Sequence, residues 1–188
     1  MHAINIEKLL TPCEVWDTEK KYEAAKKRYK RHTPKRIVVH NSWSPTAAEF
    51  KGDRTIQGIL NYHLNKGYSY ISYHYIISPA GDKIYCGRPV TVVGAHCGGE
   101  LPAGVTANFE NTGSVGICII GNYDTETIDP EASNTLLNLL QWLQEKYTIP
   151  PKEVYGHCEQ RSVSHKTCPG KKLFIELFGE NRWTKIKF

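Results

Sequence analysis

The sequence predicts one α/β domain of mixed α+β character, a central, mostly mixed β-sheet flanked by helices. Three observations carry this. The chain has 188 residues, enough for one core and short for two. Two short β-branched runs, Arg36-Ile-Val-Val-His-Asn41 and Val115-Gly-Ile-Cys-Ile-Ile120, read as buried strands. Between and after them lie segments with helical spacing, and strands interleaved with helices place a sheet between helical layers.

Taken in order, residues 1–35 read as a basic, helical N-terminal extension ending at Thr33-Pro34, and 36–188 as the domain. Arg36–Asn41 is the first strand and stops at the turn-rich Ser42-Trp-Ser-Pro45. Over 48–66, Ile56, Ile59, Leu60 and Leu64 recur near helical spacing, and Gly67 closes the segment as a C-terminal glycine does. Tyr73–Ser78 is a strand, Pro79-Ala-Gly-Asp82 a turn and Lys83–Cys86 its short hairpin partner. Residues 97–113, rich in Gly, Pro and Asn, read as a long loop before the central strand at 115–120. Asp129-Pro130-Glu131 starts a helix with a cap, a first-turn proline and an acid. Leu136, Leu139, Leu140, Leu143 and Tyr147 form its sheet-facing side, and a last short helix covers Lys171–Phe178.

Composition narrows the function classes. Apolar residues make up 40% and charged residues 23%, which excludes disordered and fibrous chains. No apolar run is long enough for a transmembrane helix. Met1–Lys8 lacks the basic cap and apolar stretch of a secretory signal, so synthesis in a host cytoplasm without a signal peptide is expected. The net charge is +5, but residues 19–36 alone carry nine basic side chains against Glu19 and Glu23. That segment is +7 and the remaining chain −2. It is a solvated helix or an electrostatic contact, foremost with an anionic envelope. No stacking motif accompanies it, and a nucleic-acid partner is not expected. The six cysteines form no CxxC pair and are expected as free thiols.

Three residues stand where ordered backbone gives way to loop. His40 ends the first strand, His157 follows Tyr155-Gly156, and Cys168 precedes Pro169-Gly170. Two imidazoles and a thiolate with one open position satisfy a tetrahedral zinc ion that keeps a place for water. Individually each has an ordinary structural explanation.

The context makes the set specific. Arg36–Asn41, Ser72-Tyr-His-Tyr-Ile-Ile77 with Gly81–Arg88, Val92-Val-Gly-Ala-His96, Ser114–Gly121, and Gly156-His157 with Lys166-Thr-Cys-Pro-Gly170 occur in that order. Together they resemble the type 2 N-acetylmuramoyl-L-alanine amidases, a family of phage lysozyme-amidases, bacterial amidases and peptidoglycan-recognition proteins. The resemblance covers about residues 36–178. It implies the peptidoglycan-recognition fold, a zinc ion on His40, His157 and Cys168, and catalytic roles for Tyr73 and Lys166. It also implies substrate contacts at Trp43, His74, His96, Asn111 and Ser114. The implied bond joins N-acetylmuramic acid to L-alanine of the stem peptide. The partner is then peptidoglycan, a muramyl peptide, met at the cell wall or periplasm by a monomer of phage-endolysin type.

A thiolate ligand softens the zinc ion as a Lewis acid, so a second electrophile is expected: Lys166 as an ammonium, with Tyr73 as hydrogen-bond donor. No HExxH supplies a glutamate base, and Glu159, though near His157, is not expected to serve as one. The alternatives are a peptidoglycan-binding module without catalysis or a polymerase regulator of the same fold. The cysteine ligand favours catalysis. Two departures from the family pattern remain: the long 97–113 loop, and the segment 1–35, which inherits no role.

Overall fold

The computed structural model describes residues 2–12, 31–98, 110–160 and 166–186. Six strands form one mixed sheet in the order β1-β4-β3-β5-β2-β6. They are β1 (Leu10–Pro12), β2 (Arg36–Asn41), β3 (Tyr75–Ile77), β4 (Ile84–Cys86), β5 (Ser114–Ile119) and β6 (Val154–Gly156). Only the β3–β4 hairpin pairs antiparallel; the β1–β4, β3–β5, β5–β2 and β2–β6 pairs are parallel. β5 and β2 are buried along almost their whole length, as parallel strands covered on both faces must be.

Strand alternation divides the sheet into two apolar faces. Ile37, Val39, Val115, Ile117 and Ile119 join the core beneath α3 (Pro130–Tyr147), with Leu136, Leu139 and Leu143 fully buried. Asp129 caps that helix as expected, its Oδ1 accepting from Glu131 N at 2.8 Å. Ile76, Cys118 and Ile120 face the other way, toward Ile56 and Leu60 of α2 (Asp53–Asn65). His40 pairs with Cys118 in register, so it emerges on the α2 side. The two faces therefore have different uses, one for packing and one for the site.

Residues 2–12, assigned on sequence to an extension, lie against the domain. α1 (Ile6–Leu9) buries Ile6 in the main core, and β1 adds an edge strand beside β4. Residues 31–35, also within the segment expected to be helical, form no helix: Arg31 bridges to Val92, His32 N donates to Thr91 O, and Gly113 N donates to His32 Nδ1. Pro34 disfavours helix at the residue before it. The rest of the basic segment lies outside the described residues, as does most of the 97–113 loop.

The last helices are α4 (Lys171–Phe178) and α5 (Glu180–Trp183). α4 begins at Gly170, where φ is 95°. A Cβ there would come within 2.4 Å of the Tyr123 carbonyl carbon and 2.7 Å of Asp124 N, both backbone atoms that cannot step aside. Gly170→Ala is expected to cost roughly 2–4 kcal/mol, from the left-handed backbone and the overlap together. Urea denaturation of the two proteins measures it; a difference below about 0.5 kcal/mol, the size of an ordinary surface change, would contradict this packing.

Candidate metal centre

The parallel β2–β6 register builds the site. Val39 pairs with Gly156, so the next residues along, His40 and His157, leave the sheet side by side. Their ring centroids are 4.2 Å apart. This is the carboxyl end of parallel strands, where open α/β sheets place ligands.

Cys168 arrives from a separate loop, which is fastened to the same corner. Cys158 N donates to Cys168 O at 2.7 Å, and Thr167 Oγ1 and Lys171 N donate to the Asp124 carboxylate. The Cys168 Sγ lies 3.8 Å from His40 Nδ1 and accepts from Asn41 N at 3.4 Å. One ligand atom each from His40, His157 and Cys168 lies within 4.8 Å of the others.

The protonation chemistry suits a cation. Burial holds the His157 imidazole down to about 3, with the Lys166 ammonium adding to the effect. Burial also holds His40 well below the usual imidazole value, so both rings are neutral donors at pH 7. Burial pushes the Cys168 thiol up to about 12, against the opposing pull of the Asn41 N–H. A metal ion must displace that proton to bind. His157 Nε2 is buried and has no hydrogen-bond partner among the described residues. An orphaned imidazole nitrogen is costly unless something binds it, and a divalent ion fits. The His/His/Cys group can hold a metal ion.

Tyr73 stands beside this group, its ring centroid 5.3 Å from that of His40 and 5.7 Å from that of His63. Its backbone is set by Arg88, whose N donates to Tyr73 O and whose guanidinium donates to the Ile71 carbonyl. Burial and the nearby Cys118 and Cys168 sulfurs raise its phenol well above the usual value. Lys166 is exposed at the rim, close enough for its charge to act on His157 and Cys168. Glu159 is spent on structure: it accepts from Gly156 N and pairs with Arg182 at 2.7 Å.

The expected substrate contacts separate. Trp43 is 67% exposed and takes a left-handed φ of 58°. It lines a groove of about 500 Å³ with Ser44, Pro45, Ile59 and Tyr62. His74, His96, Asn111 and Ser114 lie deeper: all four are buried, with hydrogen-bond partners inside the protein. His74 accepts from Gly116 N and donates to Val92 O, so neither nitrogen remains for a ligand. Asn111 clamps Cys97 through Cys97 N and Cys97 O. Ser114 Oγ donates to Glu110 O at 2.6 Å, and His96 packs against His40. Motif position alone does not distinguish a cleft residue from one beneath the cleft. Cys118 was not singled out from sequence; only its register opposite His40 reveals it.

The family model described as N-acetylmuramoyl-L-alanine amidase matches residues 30–171. The chain belongs to this amidase family. Among its amidase-family relatives, peptidoglycan-recognition protein SC2 of Drosophila melanogaster is 30% identical over 149 residues, 78% of this chain and 73% of that protein. The structure of Drosophila PGRP-LB superposes with a TM-score of 0.70 at 25% identity, covering 95% of this chain and 97% of that one. A Tyr→Phe mutant of PGRP-LB has been solved in complex with tracheal cytotoxin. The endolysin amidase LysCS of Clostridium intestinale superposes with a TM-score of 0.60 at 28% identity, covering 83% and 86%. The amidase fold is thus shared with both recognition proteins and an endolysin amidase. Among the described residues no helix is long and apolar enough to cross a membrane.

Proposed function

We propose that the chain is a zinc-dependent N-acetylmuramoyl-L-alanine amidase, hydrolysing the amide between N-acetylmuramic acid and the L-alanine of peptidoglycan stems. The observation that carries this reading is the His40/His157/Cys168 group with its unpartnered His157 Nε2. Binding without catalysis needs no such buried ligand set. When bound, zinc supplies a polarising Lewis acid and a water whose pKa falls to about 7.

The chain's own residues do the rest. His40 and His157 would offer neutral nitrogens, and Cys168 a thiolate, to hold the ion, which would supply an activated water. Tyr73, kept as a phenol by burial, donates a hydrogen bond to the scissile carbonyl oxygen as negative charge grows on it. Lys166 brings an ammonium to the same oxygen from the rim. Glu159, locked by Arg182, takes no proton in the reaction. The groove beside Trp43 holds the muramyl peptide. The reading includes action at the cell wall as an endolysin-type enzyme, with the basic segment 19–36 touching the anionic envelope.

Mass spectrometry of products from purified sacculi tests it. Zinc-loaded protein is expected to release stem peptides with a free L-alanine amine. Glycan that keeps all its peptides after exhaustive digestion overturns the proposal.

A further inference from the structure

The His40 ring faces two neighbourhoods. Its Nδ1 points at Cys168 Sγ, 3.8 Å away, and its Nε2 lies 3.0 Å from His96 Nδ1. A neutral imidazole has one N–H, so which nitrogen carries it decides which can bind a metal.

The surrounding bonds assign that proton. Ser114 Oγ has one hydrogen and donates it to a carbonyl, Glu110 O at 2.6 Å, with Asn111 O at 3.1 Å as second acceptor. Toward His96 Nε2, 3.3 Å away, the hydroxyl offers only a lone pair. His96 Nε2 therefore bears the hydrogen, and its Nδ1 is an acceptor. His40 Nε2 must then donate to it, which leaves His40 Nδ1 bare on the side of Cys168 and His157.

The His96 ring has no room to turn away. A Cβ on Gly94 would come within 2.5 Å of it and one on Gly116 within 2.4 Å, so both glycines shape its slot. Cys97 Sγ, 3.2 Å from His96 Nδ1, is a second and weaker donor to the same atom, and Asn111 holds Cys97 in place.

We propose that His96 is the positioning residue for the metal ligand His40: backed by Ser114, it accepts the His40 Nε2 proton and commits His40 Nδ1 to the ion. This rests on the zinc reading above. His40, His96 and Cys97 also have ligand atoms within 4.8 Å of one another, a geometry able to hold a second ion. Those atoms, however, already hydrogen-bond to one another, whereas His157 Nε2 has no such partner. One ion and one proton chain account for both groups.

Zinc affinity of the stripped full-length protein, by competition with a chromogenic chelator, tests the proposal. The cobalt(II) absorption spectrum and the melting of the metal-free protein are read alongside. Wild type is expected to bind one ion. His96→Leu removes the acceptor and is expected to weaken binding about 10–100-fold, the usual effect of losing an outer-shell partner, with an altered cobalt spectrum. His96→Asn places an amide oxygen where Nδ1 was and is expected to recover most of that loss. Ser114→Ala, a smaller change, is expected to weaken binding in the same direction and carries the test if His96→Leu does not fold. Wild-type affinity and spectrum in His96→Leu, or in Ser114→Ala when it alone folds, overturn the proposal. So does a second bound ion lost in Cys97→Ala, since His96 would then be a ligand. Wild type that binds no ion refutes the zinc reading instead.

Discussion

Cys168→Ser, or removal of metal by a chelator, is expected to abolish wall hydrolysis while leaving the sheet and helices in place. The thiolate is the only anionic ligand in the group, and a serine hydroxyl in its place stays protonated at neutral pH. The loss is at least roughly 10³-fold, about 4 kcal/mol of transition-state stabilisation, because water activation and carbonyl polarisation disappear together. The fold survives for a separate reason. The main core lies on the α3 face of the sheet, away from His40. The Cys168 loop keeps its backbone bonds to Cys158 and its ties to Asp124 without the sulfur. The melting temperature of wild type is expected to fall when metal is stripped, by the binding energy that linkage adds, while far-ultraviolet circular dichroism holds. Dye release from labelled sacculi measures the activity. Zinc is expected to restore stripped wild type and not Cys168→Ser; undiminished activity in both would remove the metal from the reaction.

The elements most legible in the sequence were those whose signal is local. The run Arg36–Asn41 and the Asp129-Pro130-Glu131 start carry their β-branching and capping chemistry within a few residues, and β2 and α3 follow them. α4 likewise spans Lys171–Phe178 as expected, although α5, which the sequence reading did not include, follows it. The metal group was legible because strand ends and loop motifs announce His40, His157 and Cys168 in order.

What was not legible depends on partners distant in the chain. β1 is three residues long, and it becomes a strand only because β4, more than seventy residues later, offers an edge. The helix expected from residue 48 begins at Asp53, because a tight turn intervenes in which Thr46 N donates to the Glu49 carboxylate. His74, His96, Asn111 and Ser114 occupy motif positions near the centre, but each is buried with partners inside the protein. A family motif marks what is near the chemistry. It does not say which side of the wall a residue is on.

Tyr73→Phe separates these two cases for the group nearest the metal. Phenylalanine keeps the ring against His40 and His63, so packing and metal binding are expected to be unchanged. Only the hydroxyl is lost. With its phenol held well above the usual value by burial and the neighbouring sulfurs, Tyr73 is protonated across the neutral range and has a hydrogen to donate. A donor to a developing oxyanion contributes in the transition state more than in the bound substrate. The expected result is therefore a kcat lower by about 10²–10³ with KM little changed. Because the raised pKa keeps the proton in place above pH 9, the alkaline limb of the wild-type rate profile does not report Tyr73, and that limb is expected to persist in Tyr73→Phe. Steady-state hydrolysis of a soluble muramyl peptide across pH 6–9 measures both quantities. A Tyr73→Phe enzyme with wild-type kcat would leave the hydroxyl no part in the reaction, and the charge on the oxyanion would then fall to Lys166.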